Sequence, residues 1–150
     1  MIIINTKIMR KLFAILFALC VIPLANAQNL LSSKEDLTKH SDKVMMFLKN
    51  SEFQNAFAEL QKYWPLPENE LTQLESQTVK QFNLVADRFG RIIGTDFIKD
   101  KTIKDFAVRK IYVIRFEKHM IRVLFTYYKN QNGWILNGFK WDDKFDELFD

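Results

Sequence analysis

The chain has 150 residues, with 22 basic and 18 acidic side chains and a formal net charge of +4 at pH 7. This length is that of an ordinary single domain with one hydrophobic core. Its four glycines exclude a glycine-rich phosphate loop, and its two histidines, His40 and His119, lack the spacing of zinc ligands. We therefore expect neither a metal nor a cofactor.

Residues 1–27 have the pattern of a cleaved secretory signal, in which Met9 is the more natural start. A basic pair is followed by an apolar run and then by Ala25-Asn26-Ala27, the small-residue site at which such signals are cut. The apolar run is shorter than the ~20 residues that a membrane span requires. We expect one exported domain over residues 28–150, periplasmic or secreted, without a membrane anchor and without Cys20.

Removal of the leader leaves 19 basic against 18 acidic residues. This balance removes the argument from charge for a nucleic-acid partner, and export separates the protein from such partners. The remaining charge is uneven, because residues 91–141 carry 11 basic and 4 acidic groups and the last nine residues carry 1 and 5. The simplest explanation is that the acidic tail binds the basic segment, and an external anionic partner is the alternative.

The first of three predicted helices begins at Ser32 or Ser33, because Ser32 and Glu35 have the spacing of a capping box. Its apolar stripe is Leu37, Val44 and Leu48. This stripe places His40 on the polar side of the helix.

The second helix is capped by Ser51 and ends before Pro65, and the third ends at Gly90, a residue that readily adopts positive φ. The stripe of the second helix is Phe53, Phe57, Leu60 and Trp64. The stripe of the third is Leu71, Leu74, Thr78, Phe82, Val85 and Phe89.

Residues 94–141 read as four antiparallel strands in a meander, with side chains alternating between two faces. A turn at Lys118-His119 would pair the two central strands. The predicted pairs are Phe116 with Ile121, Ile114 with Val123 and Tyr112 with Phe125. The same register sets Arg115 opposite Arg122 on the second face, where like charges are unfavourable.

The last strand follows an Asn132-Gly133 turn and changes phase at Asn137-Gly138, which predicts a bulge and a curved sheet. We expect Phe139 and Trp141 to lie on the second face. One layer of helices covers only one face, so the second needs a tail, a second subunit or a small ligand as its cover. The tail residues suited to it are Phe145, Leu148 and Phe149. The predicted binding residues of the second face are Arg115, Arg122, Tyr128, Phe139 and Trp141.

A site of another kind would pair a carboxylate, Asp96 or Asp105, with Tyr112 or Tyr127 in a closed cavity. Such residues occur together by chance in most domains. We name no catalytic residue.

The end of the chain, Asn132-Gly133-Trp134-x-Leu136-x-x-Phe139-x-Trp141-Asp142, resembles that of small exported bacterial proteins of unassigned function. These are similar to the cystatin-like, nuclear transport factor 2-like group. The resemblance implies a curved sheet that wraps a helix and encloses a conical pocket. The group includes isomerases, dehydratases, pocket binders and dimerising scaffolds. Many of its members interleave helices with strands, whereas here all three helices come first.

The sequence therefore predicts an α+β fold, with three N-terminal helices packed on a curved four-stranded antiparallel meander of the cystatin-like kind. The expected function is that of an exported, non-enzymatic binding module that self-associates or binds a ligand through the second sheet face. The alternative is a pocket-bearing enzyme of the isomerase or dehydratase type that acts on a small apolar ligand.

Overall fold

The computed structural model describes residues 29–149, so the predicted leader and its cleavage site lie outside the described residues. Three helices come first, α1 (Lys34–Lys49), α2 (Phe53–Gln61) and α3 (Glu68–Phe89). The strands are β1 (Ile92–Ile103), β2 (Ala107–Phe116), β3 (Met120–Lys129) and β4 (Trp134–Asp142), and a 3-10 turn, Phe145–Leu148, follows. The strands form one antiparallel meander in the order β1-β2-β3-β4. The predicted α+β class, with three helices and a four-stranded meander, is confirmed.

Helix α1 begins one residue later than its predicted capping box. The Ser33 backbone is extended, and its side chain accepts a hydrogen bond from Asp36 N–H at 3.1 Å. The Asp36 carboxylate accepts from Ser33 N–H at 3.0 Å. The box is therefore Ser33 with Asp36 rather than Ser32 with Glu35, because a cap needs both spacing and an extended backbone.

The prediction that Ser51 caps α2 is wrong. Ser51 has a φ of 60°, and its N–H donates to the Leu48 carbonyl at 3.0 Å. It therefore closes the end of α1, while α2 starts after Glu52 without a side-chain cap. Helix α2 ends at Gln61, which leaves Trp64 beyond it.

Helix α3 ends as predicted. Gly90 has a φ of 85°, and its N–H donates to the Ala86 carbonyl at 2.8 Å. Positive φ is costly for residues with a Cβ, so glycine suits this end of the helix.

The β2–β3 hairpin differs in register from the prediction by two residues. The observed pairs include Ile114 with Ile121, Tyr112 with Val123 and Lys110 with Phe125. An even shift keeps each side chain on its predicted face. It also separates the two arginines, because Arg115 lies opposite Met120 and Arg122 opposite Val113.

The register changes because the turn lies at Glu117-Lys118 instead of Lys118-His119. There, Glu117 N–H donates to the Arg91 carbonyl at 3.1 Å and Lys118 N–H donates to the Phe89 carbonyl at 3.0 Å. The segment between α3 and β1 thus fixes the hairpin, a tertiary contact that strand alternation does not encode.

The bulge predicted at Asn137-Gly138 is present, because Thr126 pairs with Gly138 while the next residue, Tyr127, pairs with Leu136. The predicted consequence is wrong, since Phe139 and Trp141 lie on the helix side with Leu136. Phe139 pairs with Phe125 across the strands, and the Trp141 ring lies 4.8 Å from that of Phe82. The extra residue of the bulge puts Leu136 and Phe139 on the same face, although strict alternation would put them on opposite faces.

The core lies between the helices and one face of the sheet. Phe82, Phe125 and Tyr127 are almost fully buried within it. Of the predicted stripe of α1, Leu37, Val44 and Leu48 all enter this core. The first helix, the third helix and the central strands therefore share one hydrophobic cluster.

Candidate functional site

The face of the sheet turned away from the helices, called the outer face below, carries three of the five predicted binding residues. Arg115, Arg122 and Tyr128 lie on it, whereas Phe139 and Trp141 face the helices. Tyr128 lies six positions from Arg122 along β3, about 20 Å at the usual rise of a strand. The predicted residues therefore do not form one site.

Arg122 is held by carboxylates of the chain's own C-terminal segment. Its Nε and Nη2 donate to the Asp142 carboxylate at 2.9 and 3.0 Å, and its Nη1 donates to Glu147 at 2.6 Å. The hydrogen bonds to Asp142 and Glu147 raise the pKa of Arg122 despite its burial. Burial, the largest single effect, acts to raise the pKa of Asp142, but the hydrogen bonds from Arg122 and Lys144 N–H and the nearby positive charges together outweigh it, and the pKa is lowered. Arg122 is thus a structural anchor for the tail.

The tail, residues 143–149, crosses the outer face between two anchors. Glu147 binds Arg122 on β3, and the Leu148 carbonyl accepts from Lys99 Nζ on β1 at 3.1 Å. Strand β2 lies between these strands, so the tail passes over it. The apolar residues buried on this face are Ile111, Val113 and Leu124. The prediction that the tail docks is confirmed, except that Phe149 is 84% exposed.

Arg115 and Tyr128 lie on either side of the tail's crossing. Arg115 Nε donates to the Asp96 carboxylate at 2.6 Å, and both side chains are about half exposed. Tyr128 packs edge-on against Phe106, with ring centroids 6.5 Å apart, and remains 43% exposed. Among the described residues, Arg115 forms an ion pair with Asp96, whereas Asp142 and Glu147 form ion pairs with Arg122 and not with Arg115.

The half of the outer face around Arg109, toward the β1–β2 turn, is not covered by the tail. Arg109 Nε donates to Thr126 Oγ1 at 3.0 Å, and within residues 29–149 no carboxylate pairs with it. Two hollows share Arg109 and Thr126. One, of about 330 Å³, is also lined by Lys101 and Ile103. The other, of about 300 Å³, is also lined by Leu124 and Lys140, among others.

A polar network lies inside the core, and the sequence interpretation missed it. His40 is buried, and its Nε2 lies 3.2 Å from the Glu59 carbonyl, to which it donates. Its Nδ1 accepts from Tyr127 Oη at 2.7 Å. Burial lowers the pKa of His40 and raises that of Tyr127, so both groups are held neutral. The prediction that His40 lies on the polar side of its helix is wrong.

A second branch of this network joins α1 to β2. Tyr112 Oη donates to the Asp42 carboxylate at 2.7 Å and lies 2.8 Å from Ser41 Oγ. Burial raises the pKa of Tyr112. The alternative pairing of Tyr112 or Tyr127 with Asp96 or Asp105 is not formed, because the two hydroxyls bond Asp42 and His40, and Asp96 binds Arg115 on the other face.

The sequence did carry a signal for this network. His40 and Ser41 lie three and four residues after Leu37, the spacing that continues a buried helical stripe. A search for apolar residues alone does not find this signal, because His40 and Ser41 are polar. Every buried side-chain nitrogen and oxygen in the described part of the chain has a hydrogen-bond partner.

Within residues 29–149, no helix is both long and apolar enough to cross a membrane. The same part of the chain contains no group of three or more His, Cys, Asp or Glu side chains placed to hold a metal ion. Comparison of the chain with protein-family models, with curated proteins and with solved structures gave no match.

Proposed function

We propose that the protein is an exported, non-enzymatic binding module that holds a small anionic, partly apolar ligand on the uncovered half of the outer face. The observation that carries this proposal is Arg109, which borders both hollows and has no carboxylate partner among the described residues. A guanidinium offers paired N–H donors that match the two oxygens of a carboxylate.

The hollows suit a ligand with an apolar part as well as a charge. Ile103 is 63% exposed on the rim of one hollow, and Leu124 lines the other. Each volume lies at the lower end of the range of roughly 300–1,000 Å³ for small-molecule sites. Lys101 and Lys140 add positive charge on either side, which favours an anionic head group.

A second subunit docked face to face, one of the covers that the sequence suggests, fits this surface less well. A two-fold axis sets a patch against its own copy. Arg109 and Lys101 would then approach the same residues of the partner, and like charges that lose water without a counter-charge are unfavourable. The small ligand is therefore the preferred occupant of this face.

The alternative, a pocket-bearing enzyme, would need open space between the helices and the sheet. Phe125, Tyr127 and Leu136 fill the centre of that region, and the hollows of about 180 and 460 Å³ lie at its margin along α3. The hydroxyls of Tyr112 and Tyr127 are already bonded to Asp42 and His40. These polar groups hold α1 on the sheet. Such a structural role supports the binding module over the enzyme.

We also propose a distant relation to the cystatin-like, nuclear transport factor 2-like group, supported by helices packed on one face of an antiparallel meander.

Export is proposed from the leader pattern of residues 1–27. Mass spectrometry of the protein recovered from periplasm or medium should give Gln28 as the first residue. Recovery of a chain that retains residues 10–27 would contradict export by cleavage.

The ligand proposal is tested by titrating the protein with hexanoate and following the backbone amide signals by NMR. We expect the signals of Arg109, Thr126 and their neighbours to shift. Arg109→Gln should weaken binding at least tenfold, about 1.4 kcal/mol, because the paired donors are lost. The neutral probe 1-hexanol should bind more weakly than hexanoate.

Arg91→Gln is the matched control, because Arg91 is an exposed arginine whose side chain binds Glu117 away from both hollows. It should leave hexanoate binding unchanged. If the wild-type signals do not shift at millimolar hexanoate, or if Arg109→Gln binds as tightly as wild type, the proposed site is wrong.

A further inference from the structure

The two edges of the sheet differ in how well they are covered. At the β4 edge, Leu31 and Trp134 exchange two backbone hydrogen bonds of 2.9 Å, and Leu136 N–H donates to the Tyr63 carbonyl at 2.9 Å. At the opposite edge, β1 pairs only with β2. Within residues 29–149, no backbone hydrogen bond joins the outer side of β1 to another segment.

This open edge is long and carries exposed apolar side chains. Strand β1 has 12 residues. Its exposed large apolar side chains are Ile93, Phe97, Ile98 and Ile103. A long edge strand with such side chains pairs readily with another strand, since its unpaired N–H and C=O groups form a ready template.

We propose that a second copy of the chain pairs with β1 through β1, antiparallel, and joins the two sheets edge to edge. The charges of the strand identify this occupant. The net charge of the strand between positions 96 and 101 is zero. Its charges alternate in sign along the chain, in the order Asp96, Lys99, Asp100 and Lys101. Such a strand is complementary to itself when it is reversed, as a two-fold axis requires.

One register satisfies both the charges and the apolar residues. When Asp96 lies opposite the second copy's Lys99, Phe97 lies opposite the second copy's Ile98, and the axis repeats both pairs. The shift between Phe97 and Lys99 in the pairing with β2 makes Ile98 an extra residue. This bulge returns Asp96 and Lys99 to the same face, where they can meet across strands.

Three of the four charges of β1 hinder this contact little, because they are already bound within the chain. Asp100 binds Lys110 Nζ at 3.0 Å, Asp96 binds Arg115 and Lys99 binds the Leu148 carbonyl. Charged edge residues normally prevent strand addition by remaining unpaired. Here both carboxylates of the edge are paired within their own sheet and Lys99 is held by a carbonyl, so Lys101 is the one charge of the four without a described partner. This edge contact is independent of the ligand proposed for the outer face.

The proposal is tested by sedimentation equilibrium of the full chain over micromolar concentrations. We expect a monomer–dimer equilibrium whose dissociation constant rises at least tenfold in Ile98→Lys, because two added like charges lie beside the axis. Leu84→Lys is the matched control, since Leu84 is an apolar side chain that is 63% exposed but lies on α3 and not on the β1 edge. It should dimerise as wild type does.

Amide hydrogen exchange distinguishes edge pairing from other contacts. The outward N–H groups of residues 96–99 should gain protection as wild-type concentration rises, and Ile98→Lys should abolish this gain. A wild-type protein that stays monomeric to about 100 µM overturns the proposal. A dimer that survives Ile98→Lys but is lost in Tyr128→Lys also overturns it, because the contact would then be face to face. Circular dichroism confirms that each variant is folded.

Discussion

The two faces of the sheet are covered by different kinds of interaction. On the helix side, aromatic rings and neutral hydrogen bonds such as His40 with Tyr127 exclude water. On the outer face, a short tail is attached mainly by the bond between Glu147 and Arg122, which also binds Asp142 of β4. The helix side should therefore respond to changes of volume, and the outer face to changes of charge and salt.

This difference separates the part of the molecule that maintains the fold from the part that is free to change. The tail binds Arg122 and Lys99 and leaves Arg109 and its hollows open. Attachment by partly exposed ion pairs is weaker than burial of a helix face. Binding at the outer face should therefore reduce the stability of the fold less than binding at the helix side would.

The largest expected effect lies on the helix side. Phe125→Ala should lower the free energy of unfolding by roughly 3–5 kcal/mol, because it leaves a cavity among fully buried neighbours. Phe82→Ala should have a similar effect. The adjacent Leu124→Ala, on the outer face, should cost about 2 kcal/mol, since Leu124 borders an open hollow and its loss encloses less new cavity.

Urea unfolding of these variants provides the measurement. Less than about 1 kcal/mol for either phenylalanine would show that the core has been assigned to the wrong face. Equal losses for Phe125→Ala and Leu124→Ala would show that both faces are packed equally firmly.

Removal of the tail should have the next largest effect. A chain that ends at Asp143 loses the Glu147 bond to Arg122, the bond of Lys99 to the Leu148 carbonyl, and the half-buried side chains of Phe145 and Leu148. We expect a loss of about 1.5–3 kcal/mol, the value of exposing about one large apolar side chain. Differential scanning calorimetry measures it. Phe149→Ala is the control and should change nothing, because Phe149 is already exposed; a cut chain as stable as its parent would contradict the tail's role.

Acid should act on the helix side through His40. Burial lowers its pKa in the folded state, while the unfolded value is about 6.5. The unfolded chain therefore binds the proton first, so stability is complete above about pH 6.5 and falls as the pH drops below it. The slope approaches at most about 1.4 kcal/mol per pH unit.

Chemical denaturation between about pH 7 and 5 tests this dependence. His40→Gln should flatten the slope, whatever its effect on absolute stability. The carboxylates with lowered pKa values, Glu59 and Asp142, lose their contribution only at lower pH. A wild-type slope that is flat across this range, or that persists in His40→Gln, would exclude His40 as the source.

The smallest effect is expected at the exposed ion pair of the outer face. Asp96→Asn removes the charge opposite Arg115, and both side chains are about half exposed. The loss should be about 0.2–1 kcal/mol and should disappear in high salt. Urea unfolding at two salt concentrations measures it, and a larger, salt-independent loss would indicate a buried role for the pair.

Local patterns in the sequence were sufficient to predict the elements and their order. The apolar spacing of α3, its end at Gly90 and the bulge at Asn137-Gly138 depend on residues close in the chain, and all three are present. The core positions Phe82 and Phe125 follow from the same periodicity.

The predictions were wrong where contacts between segments distant in the chain determine the structure. The β2–β3 turn is set by carbonyls of Phe89 and Arg91, more than twenty residues earlier. The burial of His40 depends on Tyr127, 87 residues away. The site was predicted least well, because Arg122 is neutralised by the tail and Arg109 is not, and sequence type alone does not distinguish them.

The pairing of Leu31 with Trp134 has a consequence for the order of folding. The strands are joined by short turns, so each hairpin closes a short loop at low entropic cost. Leu31 must instead find β4 across nearly the whole described chain. Contacts of such large sequence separation form late when local ones are available. The first residues of the domain are therefore expected to dock last and, on unfolding, to detach first.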